Sequence, residues 1–484
     1  MVYVGSNDGM LHAFDGSIAT TDTLAGTEIF AYVPGALYSG PTGTPSINGL
    51  VSRTYKTFNH HYMVNSSPVV ADVDFDNAGG TFTNAASNWH SILVGGLGKG
   101  GMAYYAIDVT DPLSMNTDAN VASKVLWEFN QNTIKQYGSS ATIGYSFGPA
   151  LITKTVKYGW VVILTSGFDN SDGVGYFFFV DPKSGSLLEP PLPVSAGTSA
   201  SPLGLTFASA FVPDYTDGTA DALYAGDLYG DVWRVDLTTT SGAYSAPVKI
   251  AHVVDPTAGN SQPITTRPLI EVSPNTNKRY IVLGTGRTLA STDLFGTQTN
   301  SIYSIFDGTG SFGGFLTRTT LPSGVSWPIT RTQLQAVASL VDGIPSATAA
   351  QMGWYTDLGA ASKSTPAEQV DVEPNADNGI AAFGINLNNG DACNPQGSGR
   401  IVAFDIGTGL SALRDTNNNV VASYNDGNKM QRVVDVTFVN VNGSSIRLTA
   451  GTDGSSAQLI NVNGVYTTTG TTNQLNWREV KGAN

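Results

Sequence analysis

Cysteine is almost missing from this sequence. Cys393 is the only one in 484 residues, so no internal disulfide and no cysteine-rich zinc site can form. Charge is scarce as well: Asp, Glu, Lys and Arg make up 13% of the chain, about half the usual share near 25%. Long apolar runs are lacking. Runs such as Trp160–Leu164 and Tyr176–Val180 are strand-sized and fall far short of the roughly 18–20 residues that span a bilayer. Met1 leads at once into strand-like VYVGS without a charged and then apolar leader, so any export signal is expected upstream of this sequence. The histidines His12, His60, His61, His90 and His252 form no metal-binding pair at helical spacing. There is no phosphate-cradling loop leading into a helix. The glycine-rich Gly95–Gly101 lies between two strand-like runs and reads as a wide hairpin turn. Catalysis is not expected.

What is present points to a folded all-β chain. Hydrophobic residues reach 41% and aromatics 10%, too many for a disordered segment. Acidic residues outnumber basic ones 38 to 24, for a formal charge of −14. Such a surface repels nucleic acid and tolerates cations such as calcium. A module of apolar strand, turn and second strand closing on Asp or Asn recurs at Val2–Asp15, Ile92–Asp108, Val161–Asp181, Leu223–Asp236, Tyr280–Asp307, Ala381–Asp405 and Arg447–Asn463. Asp8-Gly9, Asp172-Gly173 and Asp453-Gly454 suit tight turns that need positive φ. Small residues close the first strand at Gly5, Gly95, Gly226, Gly284 and Gly451, as expected where strands crowd a central axis. Trp89, Trp127, Trp160, Trp233 and Trp477 are expected in aromatic core packing, with wedging between blades as the second role. The copies lie about 60–100 residues apart, wider than compact propellers. Long loops are therefore expected, among them 16–51, 75–88, 312–327 and 370–378. Helix is scarce, and Thr332–Val341 fits a short helix or a strand. The reading is a modified seven-bladed β-propeller with long inserted loops, one domain over residues 1–484.

The segments Val2–Gly16, Glu28–Pro34, His61–Val73, Trp89–Pro112, Ile143–Ile152, Tyr224–Leu237, Val282–Arg287 and Asn476–Val480, in that order, resemble the C-terminal domain of the PilY/PilC family of type IV pilus proteins. The resemblance covers nearly the whole chain. It implies a quinoprotein-like propeller at the cell surface, at the pilus tip or associated with the outer membrane. It further implies help in pilus assembly against retraction, control of extension, retraction and twitching motility, and adhesion to host or abiotic surfaces. Pilins or minor pilins are the implied partners, and an N-terminal half, often with a von Willebrand factor A-like fold, lies outside this sequence. A calcium site is implied too, in a loop that typically reads Asp-x-Asn-x-Asp-Gly-x-x-Asp. Here the corresponding stretch is DYTDGTAD. Asp217, Gly218 and Asp221 match its second half, Asp214 and Thr216 supply further oxygens, and the Thr219 carbonyl falls at the backbone-ligand position. The first half is one residue short, so Asp214 cannot take the first position without a different loop path. An ordinary turn on Asp217-Gly218 is the plain alternative.

A possible second cation site is DVDFDN, with Asp72, Asp74 and Asp76 at alternate positions. In a continuing strand these would share one face and repel; exposed acids opening a long loop are the favoured reading. Asp415, Asn417 and Asn419 read as a polar turn. Two rival functions stand beside pilus work: a carbohydrate-binding surface lectin using loop Tyr and Trp, and a quinone-dependent oxidoreductase, disfavoured because one cysteine cannot form a vicinal disulfide.

Overall fold

The computed structural model describes residues 1–19, 21–38, 50, 61–82, 87–194, 196–256, 259–311, 313–344, 351–362, 366–389, 397–415, 417–424, 432–441, 444–451 and 458–461, with side chains as far as 438. Cys393 and Trp477 lie outside the described residues. Two short helices, Asp118–Lys124 and Gln131–Gln136, are the α-helical content described. Thr332–Val341 carries a 3₁₀ turn and the two-residue strand Gln335–Ala336.

The strands group into seven sheets in chain order. Each repeated module is a hairpin within one sheet: Val2–Gly5 with Leu11–Phe14, Trp89–Gly96 with Tyr104–Asp108, and Gly159–Thr165 with Gly175–Val180. The series continues with Ala222–Gly226 and Asp231–Asp236, Lys278–Gly284 and Ser301–Thr309, Ile380–Leu387 and Ser398–Asp405, and Ser444–Gly451 and Gln458–Asn461. From the second sheet on, an earlier strand pairs with the hairpin: Val69–Asp74, Leu151–Thr155, Thr206–Phe211, Leu269–Ser273, Asn375–Asp377 and Val433–Val441. From Leu151–Thr155 onward these leading strands touch one another in succession. That places them around a common axis, the arrangement of a β-propeller.

The expected seven blades are a point of correction. A full blade has four antiparallel strands, and the second to fifth sheets carry such a path; the first, sixth and seventh have three strands among the described residues. In the sixth, the described residues after Ser398–Asp405 make isolated bridges, among them Phe404 to Ser411 and Ile401 to Tyr424. The third sheet gains strands from its neighbours. Ala78 pairs in parallel with Trp160, and Thr219–Ala220 in parallel with Lys154–Thr155.

Six hydrophobic clusters each join two consecutive sheets. Alternate side chains of a strand point to opposite faces, and both faces are covered here. Phe178 packs with Trp127 of the second sheet, whereas Phe177 and Phe179 pack with Leu223 and Trp233 of the fourth. Burial on both faces explains the continuous apolar run GYFFFV; each such ring contributes about 1.5–3 kcal/mol. Trp127 and Trp233 are buried between sheets, whereas Trp89 is exposed and meets Trp160 edge-on at 5.9 Å. Of the glycines expected to close the first hairpin strands, Gly5, Gly226 and Gly284 have a different cause from axial crowding, and Gly384 inside Ile380–Leu387 follows these three. A Cβ on Gly95 would instead strike the Tyr105 ring of its own sheet at 2.4 Å, and the surroundings of Gly451 lie outside the described side chains. A Cβ on Gly5, Gly226, Gly284 or Gly384 would strike Val64, Ile264, Val370 or Val433 at 2.4–2.8 Å. Each of those residues belongs to the segment that enters the next sheet.

Candidate functional site

The acidic stretch at 214–221 connects Thr206–Phe211 to Ala222–Gly226, whose register pairs Phe211 with Ala222. Its first part is an exposed turn. The Asp214 carboxylate accepts from the Thr216 amide at 2.8 Å and hydroxyl at 2.7 Å, and these two donors hold its pKa below the usual value. Gly218 takes φ 66° and donates to the Asp214 carbonyl at 3.1 Å. The Asp217 carboxylate accepts from the Thr219 amide at 2.8 Å. Thr219 and Ala220 then pair with the third sheet, and Lys154 from that sheet donates its Nζ to the Asp217 carbonyl at 3.0 Å.

Asp221 does not join this turn, which corrects its expected place beside Asp217. It is fully buried and faces Arg279, whose Nη1 lies 3.4 Å from Oδ1, while the Gly313 amide donates to Oδ2 at 3.1 Å. Burial raises its pKa, opposed by the Arg279 charge. The five expected ligands therefore do not fit calcium as one set. Asp214, Thr216 and Asp217 remain on a single exposed turn, with Thr219 buried in the short strand that follows it.

The second acidic stretch also divides. Asp72 is exposed and accepts from the Ser91 hydroxyl at 2.5 Å. Asp74 is buried and accepts from the amides of Asp76 and Asn88 at 3.1 and 2.9 Å, so it closes the turn that follows the strand. Asp76 is half-buried beyond that turn. Among the described residues no three His, Cys, Asp or Glu side chains are placed as a metal ligand set. Asp72 and the 214–221 connection nonetheless share one cavity of about 740 Å³, lined by Asp72, Ser91, Lys154, Tyr215 and Gly218 among others. Both loops that open toward it send short strands onto the third sheet. Asp415 makes the expected polar turn, accepting from the amides of Asn417 and Asn419 at 2.9 and 2.8 Å.

Behind Asp221 lies a charge network that sequence reasoning missed. Arg279 is fully buried; its Nε and Nη2 donate to the Asp307 carbonyl at 3.3 and 3.2 Å. Arg234 pairs with the Asp307 carboxylate, which also accepts from the Tyr224 hydroxyl at 2.7 Å. The guanidinium of Arg279 lies 4.5 Å from the Phe211 ring and 4.8 Å from Phe315. These groups join the fourth and fifth sheets. The available signal was an arginine inside an apolar strand, as in DVWRVD and KRYIVLG, because a buried charge needs a partner. The network has two acids for two bases, while the 214–219 turn offers oxygens and no paired acid and base. The arrangement can bind and brace.

The glycine-rich Gly95–Gly101 is the expected turn, with a 3₁₀ turn at Gly98–Gly100. No helix among the described residues is long and apolar enough to cross a membrane.

Comparison with known proteins agrees with this architecture. The family model of the PilY1 beta-propeller domain matches residues 1–321. A type IV pilus biogenesis factor PilY1 homolog of Xylella fastidiosa is 30% identical over 422 residues, covering 84% of this chain and 29% of that protein. The type IV pilus biogenesis factor PilY1 of Pseudomonas aeruginosa PAO1 is 32% identical over 329 residues, covering 63% of this chain and 25% of that protein. The chain thus spans less than a third of the length of these relatives. The crystal structure of the Pseudomonas aeruginosa PilY1 C-terminal domain is similar in fold, with a TM-score of 0.68 at 23% identity over 96% of this chain and 92% of that one. The chain belongs to the PilY1 β-propeller family.

Proposed function

We propose that this chain serves type IV pilus biogenesis as a binding platform at the cell surface. The observation that carries the reading is the family match over residues 1–321. A rigid set of sheets packed through apolar clusters holds the loops in fixed positions, and those loops contact pilins or minor pilins and an outer surface. In this reading the work is adhesion and control of extension against retraction, and twitching motility follows from that balance. The test is to shear pili from cells of the native host and probe the pilus fraction for the chain. Its presence there supports the reading; its confinement to the cytoplasm overturns it.

Calcium modulation rests on the turn oxygens of Asp214, Thr216, Asp217 and Thr219. Calcium takes six to eight oxygens, with water filling what protein leaves open, and an ion there would order the exposed turn. Isothermal titration with calcium, on wild type and Asp217→Ala, decides the matter. Equal heats for the two proteins would remove this site.

A further inference from the structure

A second cavity, of about 470 Å³, lies where turns of the second to fifth sheets converge, apart from the acidic turn. Its walls include Tyr62, Tyr145, Phe147 and Phe168, and its charged groups are Lys99 and Asp169. Nothing in the pilus reading uses it. Its volume falls in the 300–1,000 Å³ range of small-molecule sites.

The walls are fixed by backbone bonds. The Asn65 amide donates to the Leu97 carbonyl at 3.1 Å, and the Gly98 amide to the Ser146 carbonyl at 3.1 Å. Tyr145 and Phe168 exchange bonds at 2.7 and 3.2 Å, and the Leu228 amide donates to the Leu203 carbonyl at 3.1 Å. Phe147 meets Phe168 edge-on at 5.3 Å. These main-chain groups are spoken for, so an extended peptide cannot dock on them by strand addition. Recognition falls to the side chains.

Those side chains combine aromatic faces with one donor and one acceptor of opposite sign. Tyr62 is 41% exposed, and the Lys99 ammonium stands 4.8 Å from its ring centroid. Asp169 is exposed, at φ 62°. Neither charge enters an ion pair among the described residues. A ligand that fits has an apolar face to lie on a ring, and polar groups that both donate and accept. The net charge of −14 disfavours anions at long range. The geometry points to a neutral saccharide as the ligand of this pocket, its ring stacked on the aromatic wall and its hydroxyls bound by Asp169 and Lys99.

The test is a glycan array followed by titration of the best neutral glycan into wild type, Asp169→Gly and Tyr62→Ala. Asp169→Gly suits the left-handed backbone at this position and removes the carboxylate without strain. The expected result is a bound neutral glycan whose affinity falls about tenfold or more in each variant, with unchanged melting temperatures. Should Tyr62→Ala lower the melting temperature, Asp169→Gly alone decides. Binding that survives Asp169→Gly, an array without any bound neutral glycan, or a preference for linear peptides would each overturn the assignment.

Discussion

Replacing Arg279 with methionine removes a fully buried charge. The guanidinium is fully buried and serves both the Asp221 carboxylate, at 3.4 and 3.5 Å, and the Asp307 carbonyl, at 3.2 and 3.3 Å. Arg279→Met keeps an unbranched side chain between Phe211 and Phe315 but leaves Asp221 with the Gly313 amide as donor in place of the guanidinium. Breaking a buried pair on one side costs about 3–5 kcal/mol, whereas replacing the whole pair by apolar groups is often neutral. The double variant Arg279→Met, Asp221→Leu should therefore recover most of the loss. Burial already raises the Asp221 pKa, and loss of Arg279 raises it further. A carboxyl whose folded-state pKa exceeds its unfolded value favours folding below the unfolded value and loses that contribution as pH rises through the folded one. The single variant should thus regain stability relative to wild type as the solution is acidified. Urea unfolding of the four proteins of this cycle, at neutral and mildly acidic pH, measures all of this. A single-variant loss below about 1 kcal/mol, or a double variant as damaged as the sum of its parts, would refute the reasoning.

Three further outcomes are expected. Gly100→Ala would place a Cβ 1.7 Å from the Met63 carbonyl oxygen, so it should cost about 2 kcal/mol or more; Gly138→Ala, at φ 76° with nothing within 4 Å, should cost only about 1 kcal/mol, and thermal unfolding compares them. Tyr224→Phe removes the 2.7 Å hydrogen bond to buried Asp307 and should cost about 1–3 kcal/mol in urea unfolding. Asp227 is fully buried, and burial with the neighbouring Asp231 charge pushes its pKa up to about 7. Its contribution is therefore complete below the unfolded value of 3.8 and lost as pH rises through about 7. Wild type should lose stability relative to Asp227→Asn between those limits, and a flat difference across them would contradict the assignment.

The sheet hairpins were legible because each carries its signals locally. VYVGSNDGMLHAFD contains the apolar runs, the Asp-Gly turn and the closing acid within one short stretch. The closing glycines were visible as a pattern, but not their cause. Val64, Ile264, Val370 and Val433 come from distant segments that spacing alone cannot bring to a strand end. The acidic turn shows the same limit. Asp217 and Asp221 sit four positions apart in sequence, yet the Thr219–Ala220 pairing with the third sheet turns one carboxylate outward and the other toward Arg279. Among the described residues the outer edge of the sixth sheet is met by isolated bridges at Ser411 and Tyr424, which no local pattern announces. The aromatic pocket is assembled from turns of four sheets, and none of those turns is distinctive alone.

The central claim, that this propeller sustains pili, is tested most directly by deleting the coding segment in the native host and counting surface pili by electron microscopy. Pili should be lost, and should return when retraction is also disabled or when the segment is restored. An undiminished count after the deletion would contradict the account.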